Sequence, residues 1–178
     1  MVRGRLVQVN AQPVLPESYA DDRAQRLVDR EFNLSWSEKI PSGNTVSGGR
    51  WHGATQAAEF SVEQGLAETL NLKLGDRLTY DIAGNQVEAV ITSLRKLDWD
   101  SMRVNFFVMS PPAVLGDYPA SYITSFHLPA EKAGVIPELV RAFPNITVID
   151  VAALVRQLHA TIDQVARAVQ LVFGFAVL

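Results

Sequence analysis

From residue 150 to residue 178 the chain holds no proline and one glycine, Gly174, so a single helix can run almost to its end. Asp150 follows the strand-like run Ile146-Thr147-Val148-Ile149 and offers a carboxylate to the first free N–H groups of that helix. Val155, Leu158, Ile162, Val165, Val169, Val172 and Ala176 recur at alternating spacings of three and four, a narrow seam that wants a facing helix. Burying such side chains at roughly 1.5–3 kcal/mol each amounts to on the order of 10 kcal/mol before ordering costs. The flanks then change character. Arg156, His159, Asp163, Gln164 and Arg167 keep the first half wet, whereas from Ala168 onward only Gln170 is strongly polar. Residues 168–178 cover about half of the roughly 20 residues that a bilayer crossing takes. Periodicity alone fits a buried C-terminal core helix. The apolar ending reads instead as the first turns of a membrane span, which makes the chain a fragment of a membrane protein.

The 178 residues have room for one ordinary domain or two small ones, and 48% hydrophobic with 20% charged is a globular composition. A net charge of -3 with scattered basic residues leaves no electrostatic footprint for nucleic acid. With no cysteine, disulfides, thiolate catalysis and Cys-based metal sites are excluded, which suits an extracytoplasmic location. The opening Met1-Val2-Arg3-Gly4-Arg5-Leu6-Val7 has no apolar core of signal-peptide length. A segment outside the membrane would therefore be placed there by something upstream in a longer chain.

Arg5-Leu6-Val7-Gln8-Val9-Asn10 alternates as a strand, and residues 17–31 are polar enough for no more than a short helix. The glycine-rich run 43–53 marks a boundary between two modules. Ser61 and Gln64 have capping-box spacing, and Val62, Leu66 and Leu70 then share a helical face until Gly75-Asp76. Leu78, Tyr80 and Ile82 alternate with Arg77, Thr79 and Asp81, and Ala83-Gly84-Asn85 turns the chain into the β-run 86–92, a hairpin. Residues 103–110 form another strand, closed by Pro111-Pro112. Strands over 121–128 and 146–149 flank a short helix that carries Pro137 in its first turn. These patterns predict an α+β fold. Residues 1–45 and 118–155 form a discontinuous α/β module, residues 46–117 an inserted β-rich module, and residues 156–178 a stalk helix entering a membrane span.

No pattern of catalytic residues stands out. Ser93-Leu94-Arg95-Lys96 has the spacing of a serine–lysine nucleophile pair, but that chemistry needs both side chains on one helical face; on a strand they point apart. Asp98-Trp99-Asp100 lacks a glycine-spaced acidic loop and reads as a solvated turn. His52, His127 and His159 have no partner at metal-ligand spacing, and the run 43–53 lacks the lysine and hydroxyl of a phosphate loop. No catalytic, cofactor or metal residues are assigned. Trp36, Trp51, Trp99, Phe106 and Phe107 surround the β-rich stretch, and alternation sends Phe106 and Phe107 to opposite faces of a strand; a second core layer accounts for them better than a ligand or partner groove does.

Taken together, Gly49-Arg50-Trp51, Ser61-Val62-Glu63-Gln64-Gly65-Leu66-Ala67, Leu74-Gly75-Asp76-Arg77-Leu78-Thr79, the run 92–108, Tyr122-Ile123-Thr124-Ser125-Phe126 and the run 143–150 closely resemble an extracytoplasmic domain of FtsX-like/MacB-like permeases of bacterial ABC transporters, of the large YbbP-type branch. The resemblance covers nearly the whole chain and is most specific over residues 93–108. It implies a MacB-like periplasmic domain, with a porter-like α/β module and a smaller inserted module, lying between membrane spans of an inner-membrane permease. It also implies a cytoplasmic ABC ATPase subunit as partner, and no catalytic motif of its own. The expected function is to relay ATP-driven motion to a substrate or client protein in the periplasm, such as a hydrophobic compound, lipid or lipoprotein. The C-terminal helix would pair with a second permease copy or domain. The alternative is a periplasmic hydrolase or a regulator of a cell-wall hydrolase.

Overall fold

The computed structural model describes residues 1–101, 103–151, 153–157, 161, 162 and 164–166. The chain divides into two units, Met1–Ser125 and Phe126–Leu178.

The first unit is built on strands β1 (Val2–Val9), β2 (Gln12–Pro13), β3 (Phe32–Trp36), β4 (Asn44–Gly49), β5 (Glu59–Glu63), β6 (Arg77–Ile82), β7 (Asn85–Leu97) and β8 (Val108–Ser110). Their pairing closes on itself: β1 joins β3, β3 joins β8, β8 joins β5, β5 joins β7, β7 joins β6, and β6 returns to β1. A closed ring removes the free edges an open sheet would present. The short β2 lies along the end of β1, and β4 continues the line of β6 along the second half of β7. Leu6, Leu34, Phe60, Val62, Leu78, Ile82, Ile91 and Val108 are fully buried in this core. Tyr80 sits edge-on to both Phe32 and Phe60, with centroids 5.8 and 5.6 Å away.

The expected hairpin is present. Arg77 to Ile82 pair in register with Val90 back to Asn85, and the turn residues Ala83 and Gly84 both have positive φ, as this hairpin class requires. Two short helices add to the barrel. Asp21 caps α1 (Asp22–Val28) by accepting from Ala24 N at 3.1 Å, and Ala24, Leu27 and Val28 are buried. The second, α2 (Gln64–Leu70), starts later than the Ser61 capping box predicts. Ser61 and Val62 belong to β5, and the cap is Glu63, whose carboxylate accepts from Gly65 N at 2.8 Å and Leu66 N at 2.6 Å. Asn71, in the left-handed region at φ 54°, ends the helix. A one-turn helix, α3 (Pro112–Leu115), buries Leu115 after β8.

The mixed α+β class agrees with the sequence, but the module boundary does not. β1 and β3 come from the first 45 residues, yet they hydrogen-bond to β6 and β8 of the expected insertion, so residues 1–45 and 46–117 share one sheet. The break between units falls after Ser125. Residues 121–128 and 146–149, expected as strands of the α/β module, are not strands. Their alternation is genuine, but a strand needs a ladder partner, and none of the described strands pairs with them.

The second unit holds α4 (Val135–Ala142), with Pro137 in its first turn as expected and no buried residue. Asp150 caps the following helix as the sequence indicates, accepting from Ala153 N at 2.9 Å. Residues 151, 153–157, 161, 162 and 164–166 are helical. No helix among the described residues is long and apolar enough to cross a membrane. The expected span over residues 168–178, and seam positions Leu158, Val169, Val172 and Ala176, lie outside the described residues.

Candidate functional site

The most polar interior point of the barrel is Arg95, on β7. In the alternating run Val87, Ala89, Ile91, Ser93, Arg95 every member is buried, so the pleat that carries three apolar residues inward carries Ser93 and Arg95 inward after them. The register between β5 and β7 shifts by one residue after Phe60 and Ile91. Regular pairing would set Val62 opposite Ser93; the shift sets Ser61 there instead.

A network results. Ser93 Oγ donates to Ser61 Oγ at 2.7 Å, and Arg95 Nε donates to the same oxygen at 2.9 Å. Arg95 Nη1 donates to Asn44 Oδ1 on β4. Nη2 reaches the carbonyls of Ser61 at 3.3 Å, Phe106 at 3.0 Å and Phe107 at 3.3 Å. Burial pulls the Arg95 guanidinium down to about 10, and the nearby charge of Glu63 partly restores it, so the group remains a cation at neutral pH. These carbonyls also explain why the expected strand 103–110 shortens to β8. The oxygens of residues 106 and 107 turn to the guanidinium, and Phe107 O also accepts from Glu63 N at 2.7 Å.

This arrangement binds elements together and offers no reaction centre. Ser93 is fully buried and hydrogen-bonded to another hydroxyl. Lys96 is exposed on the opposite face of the strand, as its spacing predicts. Asp98 and Asp100 are exposed beside the turn Trp99–Ser101. Their neighbour Trp99 stacks on Phe107 at 5.4 Å, and Phe107 packs against the core, so this aromatic pair forms an outer core layer.

His127 is exposed, His159 lies outside the described residues, and His52 is buried beside Trp51. Among the described residues no group of three or more His, Cys, Asp or Glu side chains is placed to hold a metal. Two glycines of the run 43–53 serve the pairing of β4: Gly48 and Gly49 belong to that strand, where a Cβ on Gly49 would lie 2.2 Å from Thr92 O. A groove of about 320 Å³ runs beside α2, lined by Ser47, Gln64, Glu68, Asn71, Lys73 and Leu94 among others. Neither Arg95, Asn44 nor Glu63 stands out in the sequence, and Ser61 does so only as a helix cap. The available signal was a charged residue in phase with an inward-facing apolar alternation.

Comparison with known proteins finds a relative of this chain. It is similar to part of an ABC transporter permease. The relative is an uncharacterized ABC transporter permease, YbbP of Escherichia coli (strain K12), 36% identical over 157 residues. The match takes in 88% of this chain and 18% of the permease, so the chain spans less than a fifth of that relative. No protein-family model matches the chain, and no solved structure does.

Proposed function

We propose that this chain is an extracytoplasmic, MacB-like domain of the permease subunit of an ABC transporter, without enzymatic activity of its own. It lies on the periplasmic side of the bacterial inner membrane. The observation that carries this reading is the 36% identity to the YbbP permease, which extends over 88% of the chain, barrel and second unit together. In the complete permease, a cytoplasmic ABC ATPase subunit supplies the motion. The helix that begins at Asp150 continues into a membrane span and pairs with the equivalent helix of a second permease copy or domain. The barrel passes the motion to a substrate or client protein outside the membrane, of which hydrophobic compounds, lipids and lipoproteins are the candidate classes. The Arg95 network suits a lever: hydrogen bonds from one side chain to β4, β5 and the 106–107 segment stiffen the barrel against load. Against the hydrolase alternative stands Ser93, held in the interior by Ser61.

Topology in the cell tests this. The chain has no cysteine, so Lys39→Cys, at an exposed position in the loop between β3 and β4, introduces the one reporter once any cysteines elsewhere in the full-length permease are replaced. Labelling of intact cells by a membrane-impermeant maleimide is expected. Labelling that requires cell lysis overturns the proposal.

A further inference from the structure

Between β4 and β5, residues 50–58 are tied to β7 at both ends, by Arg50 N donating to Thr92 O at 2.9 Å and Val90 N donating to Ala58 O at 3.1 Å, and two side chains seat the stretch between. Trp51 Nε1 donates to Glu38 O at 2.9 Å, tying this loop to the one before β4. His52, 4% exposed, is the second anchor, its ring 4.0 Å from that of Trp51. His52 Nδ1 lies 3.0 Å from Gly53 O, and a carbonyl can only accept, so the proton of the neutral ring sits on Nδ1. Nε2 is then a lone-pair acceptor, buried and without a hydrogen-bond partner among the described residues. Glu59, 6% exposed, repeats the pattern: Oε1 takes Arg50 Nη2 at 2.5 Å, while Oε2 is buried and unpartnered.

Two buried acceptors with no donor in the same charge cluster form an arrangement that one proton changes. The charged groups acting on the imidazole are Glu59 from β5, Arg95 from β7 and Arg50 from its own loop, which also supplies the Gly53 carbonyl. Glu59 draws a proton toward His52, but its charge is shared with Arg50, and Arg95 opposes a further cation. Burial weighs more than any of these and favours the neutral ring.

We propose that His52 and Glu59 form a proton-operated catch on loop 50–58: the loop is seated while the imidazole is neutral, and a proton taken up at Nε2 unseats it. The seated ring resists protonation relative to the ordinary 6.5 of a free histidine. An unseated ring does not, so the released loop binds the proton more readily. Seating is therefore at full strength above 6.5 and is lost as pH falls through and below that value. The unit moved is the Trp51–His52 pair, and its release frees the loop before β4 as well.

The experiment follows the His52 ring by NMR, and the amide exchange of residues 50–58, between about pH 7.5 and about pH 5. His52 is expected to titrate below 6.5. Protection of loop 50–58, corrected for intrinsic exchange, is expected to fall by up to about tenfold per pH unit between 6.5 and the seated midpoint and to level off below it, while β1 and β6 stay protected. His52→Gln removes the drop. Glu59→Gln shifts the midpoint to lower pH, because the carboxylate that favours the proton is gone. A His52 midpoint at or above 6.5 in the unaltered chain, unchanged loop protection, or a drop that persists in His52→Gln each overturns the proposal.

Discussion

Arg95 grips Ser61 twice, through Nε to the side-chain oxygen at 2.9 Å and through Nη2 to the carbonyl at 3.3 Å. One guanidinium thus fixes the rotamer and the backbone of the residue at which β5 slips register against β7. Replacing it with lysine removes the planar fork and leaves a point charge that cannot reach Asn44, Ser61 and the 106–107 carbonyls together. Arg95→Lys is expected to cost on the order of 3 kcal/mol and Arg95→Met more, since buried acceptors are left without donors. Urea unfolding measures both. A loss below about 1 kcal/mol for either variant contradicts a fully engaged side chain.

Glu63 serves α2 with both carboxylate oxygens, one on Gly65 N and one on Leu66 N. Glu63→Gln keeps one acceptor and surrenders the charge that favours the helix N-terminus and the Arg95 cation. It is expected to lower stability by about 1 kcal/mol, seen as a reduced midpoint in thermal unfolding.

What the sequence disclosed and what it withheld follow one division. The hairpin of β6 and β7, the opposed faces of Ser93 and Lys96 and the Asp150 cap depend on neighbours along the chain, and all were readable from spacing. Barrel closure rests on β1 meeting β6 and β3 meeting β8, pairings between distant stretches that no local period encodes. The start of α2 departs from the spacing because Ser61, the better cap by residue type, is committed to Arg95 and Ser93, and Glu63 takes the cap with its longer carboxylate. The alternation over 121–128 is as clear as that of β6, but a strand exists only with a partner, and Tyr122 remains 89% exposed.

Ala83 occupies the first turn position of the β6–β7 hairpin at φ 51°, where a Cβ is unfavourable, and Gly84 follows at φ 85°. Ala83→Asn creates the preferred asparagine–glycine pair and is expected to stabilise the chain by about 0.5–1 kcal/mol. Gly84→Ala should do the reverse by a similar amount. Paired thermal melts decide: equal midpoints for the two variants would mean that the turn does not govern this hairpin.

Gly49 and Gly53 separate two reasons for keeping glycine. Both have positive φ, but a Cβ on Gly49 would meet Thr92 O at 2.2 Å and Leu74 Cδ2 at 3.0 Å, whereas one on Gly53 meets nothing within 4 Å. Gly53→Ala therefore carries only the backbone cost, about 1 kcal/mol. Gly49→Ala must also move β4 away from β7, and a loss of more than about 2 kcal/mol is expected. Denaturant titration of the two variants side by side tests the order.

Every buried hydrophobic residue among the described ones lies before residue 126. The second unit exposes Phe126, Val135, Val140, Phe143, Ile149 and Leu154. A chain of residues 1–125 keeps all the ring pairings and the hydrogen bond from the Met1 N-terminus to Ser121 O. It is therefore expected to unfold in one cooperative step with a midpoint within about 4 °C of the longer chain, the shift that roughly 1 kcal/mol produces in a domain of this size. Removing the exposed apolar side chains should also reduce self-association, as judged by sedimentation at increasing concentration. A midpoint lowered by about 10 °C or more would assign part of the barrel's stability to the second unit. Unchanged self-association would place the sticky surface on the barrel itself.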